Sequence, residues 1–415
     1  MNFKKNWFSI NIHLLILFAC TDIYLISGIK LVYIFVVPVI IYLYYNRPLL
    51  AKEDYFLLLW YASYFLSLGH IISVKDFIVV VIGQFVLFII YFYFKSIKSK
   101  KRVEKYINWF QITLYLMVLI GTIQIVLYYL FNSMWGISHI NHGVGLPRMS
   151  GLSLEPDWYG VICMMAFIFM SLNILDKKEF FNKYIDYCIV ILSFIMLILS
   201  LTRAAWVALA VAYLFMLLIR INDKEFKKIK NMFFKYVKYL LPLCIIFCFI
   251  MLITRNPTFL KLFERLNVTK WFSNDGGAAN SRNYAINIMM HYFKIHPITG
   301  NGVGSMNLIS SNKDLLASFG YMGEINAGRG NANIIVTNLF DVGLPGTTCL
   351  IIFFILHIQK IINRLKTDFD IKQLAMLMIL IGLLTDFQFN NGLRFAYVWI
   401  ILGLNCAYHK ENKTR

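Results

Sequence analysis

Apolar residues fall in long unbroken runs along this chain, separated by short polar junctions. A helix needs roughly 20 apolar residues to cross a hydrocarbon core. Runs near that length recur at 8–27, 29–45, 55–73, 76–94, 108–131, 156–175, 185–201, 203–220, 236–254, 334–359, 372–388 and 394–408. The runs at 29–45 and 394–408 are the shortest. None alternates like a strand of a transmembrane barrel, so the pattern predicts helices. The expected architecture is all-α: a polytopic integral membrane helical bundle of about 12 transmembrane helices, a single transmembrane domain over 1–415.

Composition agrees with that pattern. Apolar residues make up 59% of the 415, charged residues only 15%, and mean hydropathy is +0.66; a soluble domain of this size needs far more polar surface. The net charge of +19 invites a nucleic-acid reading, but its distribution argues against one. With the N-terminus inside, cytoplasmic segments hold 27 of the 40 Lys and Arg, chiefly in the runs 95–105, 220–238 and 360–372. That is the positive-inside bias, and its partner is anionic lipid. Both termini then fall in the cytoplasm. Lys4 and Lys5 precede a run too long for a cleavable signal, so the first helix reads as a signal anchor.

The other 13 basic residues change the picture. Seven are Arg: Arg148, Arg203, Arg255, Arg265, Arg282, Arg329 and Arg394; of the 27 inside, only five are Arg. Lysine suffices for topology, whereas the planar guanidinium fork suits phosphate or carboxylate. The seven cysteines all lie in apolar runs without a CxxC pair and read as small buried hydrophobes. His139, His142, His291 and His296 lie outside but show no metal-ligand spacing. No nucleotide or dinucleotide motif is present, so neither a cofactor nor a metal is expected.

Two outer loops are long, 132–155 and the 79 residues of 255–333, between spans nine and ten. Loops of that length are usually functional. Within the second, Asn280-Ser281 can cap a helix ending before Pro297, with Ala285, Ile288, Met289, Tyr292 and Phe293 on one stripe. Such a helix lies on the bilayer or on the bundle, with Arg282 in its first turn as an anion site. Gly300-Asn301-Gly302-Val303-Gly304 follows, either a backbone approach to a ligand or a plain turn.

Four further stretches carry polar chemistry at span ends. Arg148 to Asp157 leads into span six; Pro156 flanked by Glu155 and Asp157 starts a helix well, and a carboxylate beside an arginine there can also orient or deprotonate a hydroxyl. Arg203 sits between two spans with almost no loop, either snorkelling to headgroups or binding an anion. Asn333 precedes span ten, in which Asn338 and Asp341 share a face; Gly343, Pro345 and Gly346 explain a kink but not the aspartate. Asp386 to Arg394 forms a tight turn with another acid and another arginine.

In their order, spacing and sidedness these residues resemble the O-antigen ligase and polymerase superfamily, the Wzy- and WaaL-like proteins. The resemblance is clearest from Arg148 to Gly346. It rests on Leu201-Thr202-Arg203 at an outer helix end, on Ser281-Arg282 through His296-Pro297 to Gly300-Asn301-Gly302-Val303-Gly304, and on Gly151 to Pro156 before a span. Ligases of the family carry His-Asn, nine residues, then Gly-x-x-Gly-Thr-Thr. This chain has Asn333, nine residues, then Gly343-Leu344-Pro345-Gly346-Thr347-Thr348, with Ala332 where the ligase histidine stands. Alanine cannot assist an acceptor hydroxyl, which favours polymerase over ligase.

The resemblance implies a GT-C-like bundle in a bacterial inner membrane that works at the periplasmic face without metal. Its donor and acceptor are undecaprenyl-pyrophosphate-linked glycans, and a separate chain-length regulator is a possible partner. Arg203 and Arg282 are expected to hold the pyrophosphate, with Arg148, Arg394, Asn333, Gly300 and Gly302 as further contacts. Glu155, then Asp341, then Asp386 are candidates for the acceptor base. The competing expectations are a ligase acting on lipid A or protein, and a flippase or transporter, whose charges usually lie at the midplane.

Overall fold

A computed structural model describes residues 2–26, 29–71, 73–141, 146–221, 223–235, 237–238, 278–320 and 333–407. The expected ninth span at 236–254, apart from 237–238, lies outside the described residues, as do Arg255, Arg265, Arg329 and Ala332.

The chain begins with α1 (Asn2–Ala19), a hairpin of β1 (Tyr24–Ile26) and β2 (Ile29–Lys30), a 3-10 turn over Leu31–Val36, and α2 (Val37–Tyr45). The apolar runs at 8–27 and 29–45 are therefore broken where the sequence read them as continuous helix. Thr21 and Asp22 end the first, and Pro38, at the start of α2, ends the 3-10 geometry of the second. Next come α3 (Lys52–Leu66), α4 (Val74–Ser96) and α5 (Lys100–Phe131). A second hairpin, β3 (Ile137–Asn141) and β4 (Leu146–Met149), lies in the loop before α6 (Pro156–Leu175). Then follow α7 (Lys183–Leu199), α8 (Arg203–Leu218), α9 (224–235), α10 (Ala278–Ile295), α11 (Ser305–Ser311), α12 (Lys313–Ser318), α13 (Ile334–Thr367), α14 (Ile371–Asp386) and α15 (Ala396–Ala407).

Among the described residues, α4, α5, α6 and α13 are long and apolar enough to cross a membrane, and shorter apolar helices accompany them. The protein is a helical membrane protein. Its α4 shows why: Leu87, Ile90, Tyr91 and Phe94 are buried while Ile78, Val79, Ile82 and Phe85 are exposed. An apolar exposed face of this kind suits lipid, not water.

The centre is formed by α6, α14 and α15; every residue of α15 is buried. α13 packs on α3, α15 on α4, and α14 on α8 and α6. Polar contacts gather at two opposite ends. At one, the start of α3, the end of α4 and the late part of α13 meet through Asp54–Lys95 and Glu53–Lys360. At the other, His70 stacks on His296 with ring centroids 3.8 Å apart, and the backbone N–H of Ile334 donates to the Phe387 carbonyl at 2.8 Å.

The amphipathic helix is α10. It starts at Ala278, so Asn280 and Ser281 lie inside it rather than capping it, and Arg282 belongs to its second turn. The expected helix-terminus anion site is therefore not formed by Arg282. Ala285, Ile288 and Met289 are buried in a small separate core with Met306, Ile309, Leu316 and Phe340. Of the two resting places the stripe allowed, the helix takes the bundle.

Candidate functional site

Asp157, in the first turn of α6, gathers the site. Its Oδ1 accepts from Arg148 Nη2 at 2.8 Å and from Thr202 Oγ1 at 3.1 Å. Its Oδ2 pairs with Arg282 Nη2 at 3.5 Å. Arg203 lies within electrostatic reach of both Asp157 and Arg282. Three guanidiniums from β4, α8 and α10 thus converge beside one carboxylate whose side chain is still 25% exposed. Like charges so close repel one another, and a bound anion would relieve that repulsion.

Each arm is held by a local device. Arg148 Nε also donates to the Ser200 carbonyl at 3.0 Å, tying β4 to the α7–α8 link. That link is tight because Leu201 takes the left-handed conformation, φ 56°, rare for a branched residue and common at functional sites. Gln124 of α5 clasps Gly151 from both sides, accepting from its N–H at 3.0 Å and donating to its carbonyl at 2.8 Å. Arg282 Nη2 reaches Asn390 Oδ1 at 3.2 Å in the turn between α14 and α15. Asp386, at the end of α14, is fully buried and lies within electrostatic reach of Asp157 and Arg282.

Glu155 is the N-cap residue of α6, half-buried and two residues from Asp157. Arg394 lies against two rings, its guanidinium 5.7 Å from that of Trp158 and 5.4 Å from that of Phe395. There it shares a second charged group with Asp22 and Lys30, themselves paired at 2.6 Å. Asn333 caps α13, accepting from the N–H of Ile335 and Val336, and donates to Gln388 Oε1 at 3.0 Å. Asn338 accepts from Trp60 Nε1 at 2.8 Å and so stitches α13 to α3.

Gly300, Gly302 and Asp341 belong to one packing unit. The backbone N–H of Gly302 donates to the Asp341 carbonyl at 3.1 Å, and that of Asn301 to the Phe340 carbonyl at 2.7 Å. A Cβ on Gly300 would stand 2.5 Å from the Asp341 carbonyl oxygen, and one on Gly302 2.5 Å from Ile71. The close approach these glycines permit is to the chain itself, to the Asp341 backbone at Gly300 and to Ile71 at Gly302. Asp341 lies near Tyr64 at this kink, apart from the residues grouped around Asp157.

Sequence reasoning treated Asp157 as a flank of Pro156 favourable to the helix dipole, gave Thr202 and Asn390 no role of their own within the stretches it marked, and left out Asp22 and Lys30. A signal for Asp157 existed in its spacing from Arg148 across a Gly-Ser turn. Asn390 carried none, since its partner Arg282 is 108 residues away. Among the described residues no three His, Cys, Asp or Glu side chains are placed to share a metal ion.

A polytopic helical bundle with an arginine-rich polar site at one end is the class these features define. Residues 188–351, less than half of the chain, match the family model described as O-Antigen ligase, so this stretch is similar to that family. The matched stretch contains Arg203, Arg282, Gly300, Gly302, Asn333 and Asp341; Arg148, Glu155, Asp157 and Arg394 lie outside it. No curated protein matches the chain.

Proposed function

We propose that the protein polymerises a surface polysaccharide, joining oligosaccharide repeat units carried on undecaprenyl pyrophosphate at the periplasmic face of a bacterial inner membrane. Glycan assembly by a membrane glycosyltransferase is the part the family match supports. The observation that carries the finer reading is the convergence of Arg148, Arg203 and Arg282 at Asp157. A diphosphate diester carries one negative charge on each phosphate and fits that excess of cation. In membrane orientation the lysine-rich end faces the cytoplasm by the positive-inside bias, both termini with it, and the twelve-span count completes the bundle.

In this mechanism the acceptor hydroxyl attacks the anomeric carbon of the donor glycan. The bond from that carbon to the diphosphate oxygen breaks, and the departing diphosphate gathers charge. Guanidiniums already fixed around it stabilise that charge without reorganising, each charge-assisted contact contributing roughly 1.5–3 kcal/mol. The hydroxyl proton goes to a carboxylate. Glu155 is our choice because it is half-exposed beside the cluster, whereas Asp386 is sealed off and Asp341 belongs to the kink. Arg394 and Asn333 act through the shape of the α14–α15 turn.

The test uses purified protein with a lipid-linked repeat unit and a chelator. A ladder of products is expected from wild type. Arg203→Lys should lose the ladder while remaining in the membrane, because lysine keeps the charge and loses the fork. An unchanged ladder in that variant would remove Arg203 from the reading. The family description favours one rival, a ligase, and its signature would be a single transfer to lipid A or protein with no ladder.

A further inference from the structure

An apolar groove runs along α7 from the lysine-rich end of the bundle toward the arginine end. Among the described residues, α6, α7, α8 and the chain around α9 enclose a groove of about 620 Å³ lined by Phe167, Ile191, Phe194, Leu209 and Tyr213, among others. Along α7 it runs from Tyr187 to Ile198, about 17 Å at roughly 1.5 Å per residue. That is about the depth of one leaflet of a hydrocarbon core roughly 30 Å thick.

At its inner end the groove meets polar ground. Ile174 and Tyr187 line both the groove and a hollow of about 380 Å³ bordered by Lys177, Lys178 and Lys183. Met232 joins that hollow to another, of about 420 Å³, rimmed by Lys224, Lys227, Lys228 and Lys235. Phe226 and Ile229 bury the inner face of α9, so these lysines look outward. Acids are interleaved, but some are already engaged. Asp186 accepts from the backbone N–H of Phe180 and Phe181 at 2.8 and 3.2 Å, and Asp176 pairs with Lys178 at 2.7 Å. Asp223 and Asp370 are engaged too, accepting from the backbone N–H of Glu225 and Phe226 and of Lys372 and Gln373; Glu179 and Glu225 also stand beside the seven lysines.

We propose that this groove and its lysine rim bind an anionic diacyl phospholipid of the adjacent leaflet, an acyl chain lying along α7 and the phosphate resting on the lysines. Charge complementarity selects the headgroup, and the one-leaflet depth selects an acyl chain over a polyprenyl chain several times longer. The inference is independent of the polymerase reading.

The experiment takes the delipidated full chain in detergent and titrates dioleoylphosphatidylglycerol, dioleoylphosphatidylcholine, glycerol phosphate and undecaprenyl phosphate, following binding and thermal unfolding. Phosphatidylglycerol should bind and raise the melting temperature, while the choline lipid and the tail-less phosphate do neither. Replacing Lys177, Lys183 and Lys228 together by Gln should weaken phosphatidylglycerol roughly a hundredfold, the effect of three lysines near an anionic surface. Ala210→Trp, which fills the groove from α8, should abolish binding with the lysines intact. Equal binding of the choline lipid, retained affinity in both variants, or displacement of phosphatidylglycerol by undecaprenyl phosphate at equal concentration would overturn the proposal.

Discussion

A carboxylate set among guanidiniums both attracts and separates them. Asp157 accepts hydrogen bonds from Arg148 and Thr202 and pairs with Arg282, so its charge holds in place side chains that would otherwise drive each other apart. Asp157→Asn keeps the shape and removes the charge. Losing one charge-assisted contact costs roughly 1.5–3 kcal/mol, and the polymer ladder should fall at least about tenfold, which is about 1.4 kcal/mol. Immunoblotting of membranes should show normal protein, and a wild-type ladder would show that the cluster binds no reacting group. Little of this was legible in the residue string. Arginine enrichment at one face pointed to an anion, and Arg203 and Arg282 stood out. That Asp157 joins them depends on distances between segments far apart in sequence.

Elements are joined here by backbone as much as by side chains. At Gly343, α13 leaves helical geometry, with φ 70° and ψ −172°, and the Leu344 N–H donates to the Pro297 carbonyl at 2.8 Å. A Cβ at Gly343 would stand 2.2 Å from the Ile298 carbonyl oxygen. Gly343→Ala combines that clash with a left-handed φ, and each such strain costs of order 1–3 kcal/mol. Thermal unfolding in detergent should show a loss of more than about 2 kcal/mol, with the α10 segment becoming protease-sensitive; an unchanged melting curve would contradict the docking. The sequence marked the kink through Gly343, Pro345 and Gly346 and marked the turn at 300–304. It did not say that one closes on the other, because glycine announces only a permitted conformation.

On the scale of the whole molecule, charge is sorted to the two ends of an apolar bundle. Away from the site, Lys95 pairs with Asp54, which also accepts from Tyr91 Oη at 2.7 Å, and both charged side chains are buried. Breaking a buried pair leaves one uncompensated charge and costs about 3–5 kcal/mol, whereas replacing both partners by apolar residues is often close to neutral. Lys95→Met should therefore destabilise strongly, and Lys95→Met with Asp54→Leu should recover most of the loss. Denaturation of both in matched detergent checks this; a double variant no better than the single would show that the pair does not act as a unit.

The amino-acid sequence alone determined that this is a helical membrane protein, where most of its helices lie, and which end carries arginine rather than lysine. Those properties depend on run length, composition and neighbouring residues, all local along the chain. Tertiary structure alone decided that β4, α6, α8, α10 and the α14–α15 turn meet around Asp157, that the stripe of α10 rests on the bundle, and that the glycine turn serves packing. Those outcomes depend on which apolar faces pack together, and periodicity reports that a face is apolar without naming its partner.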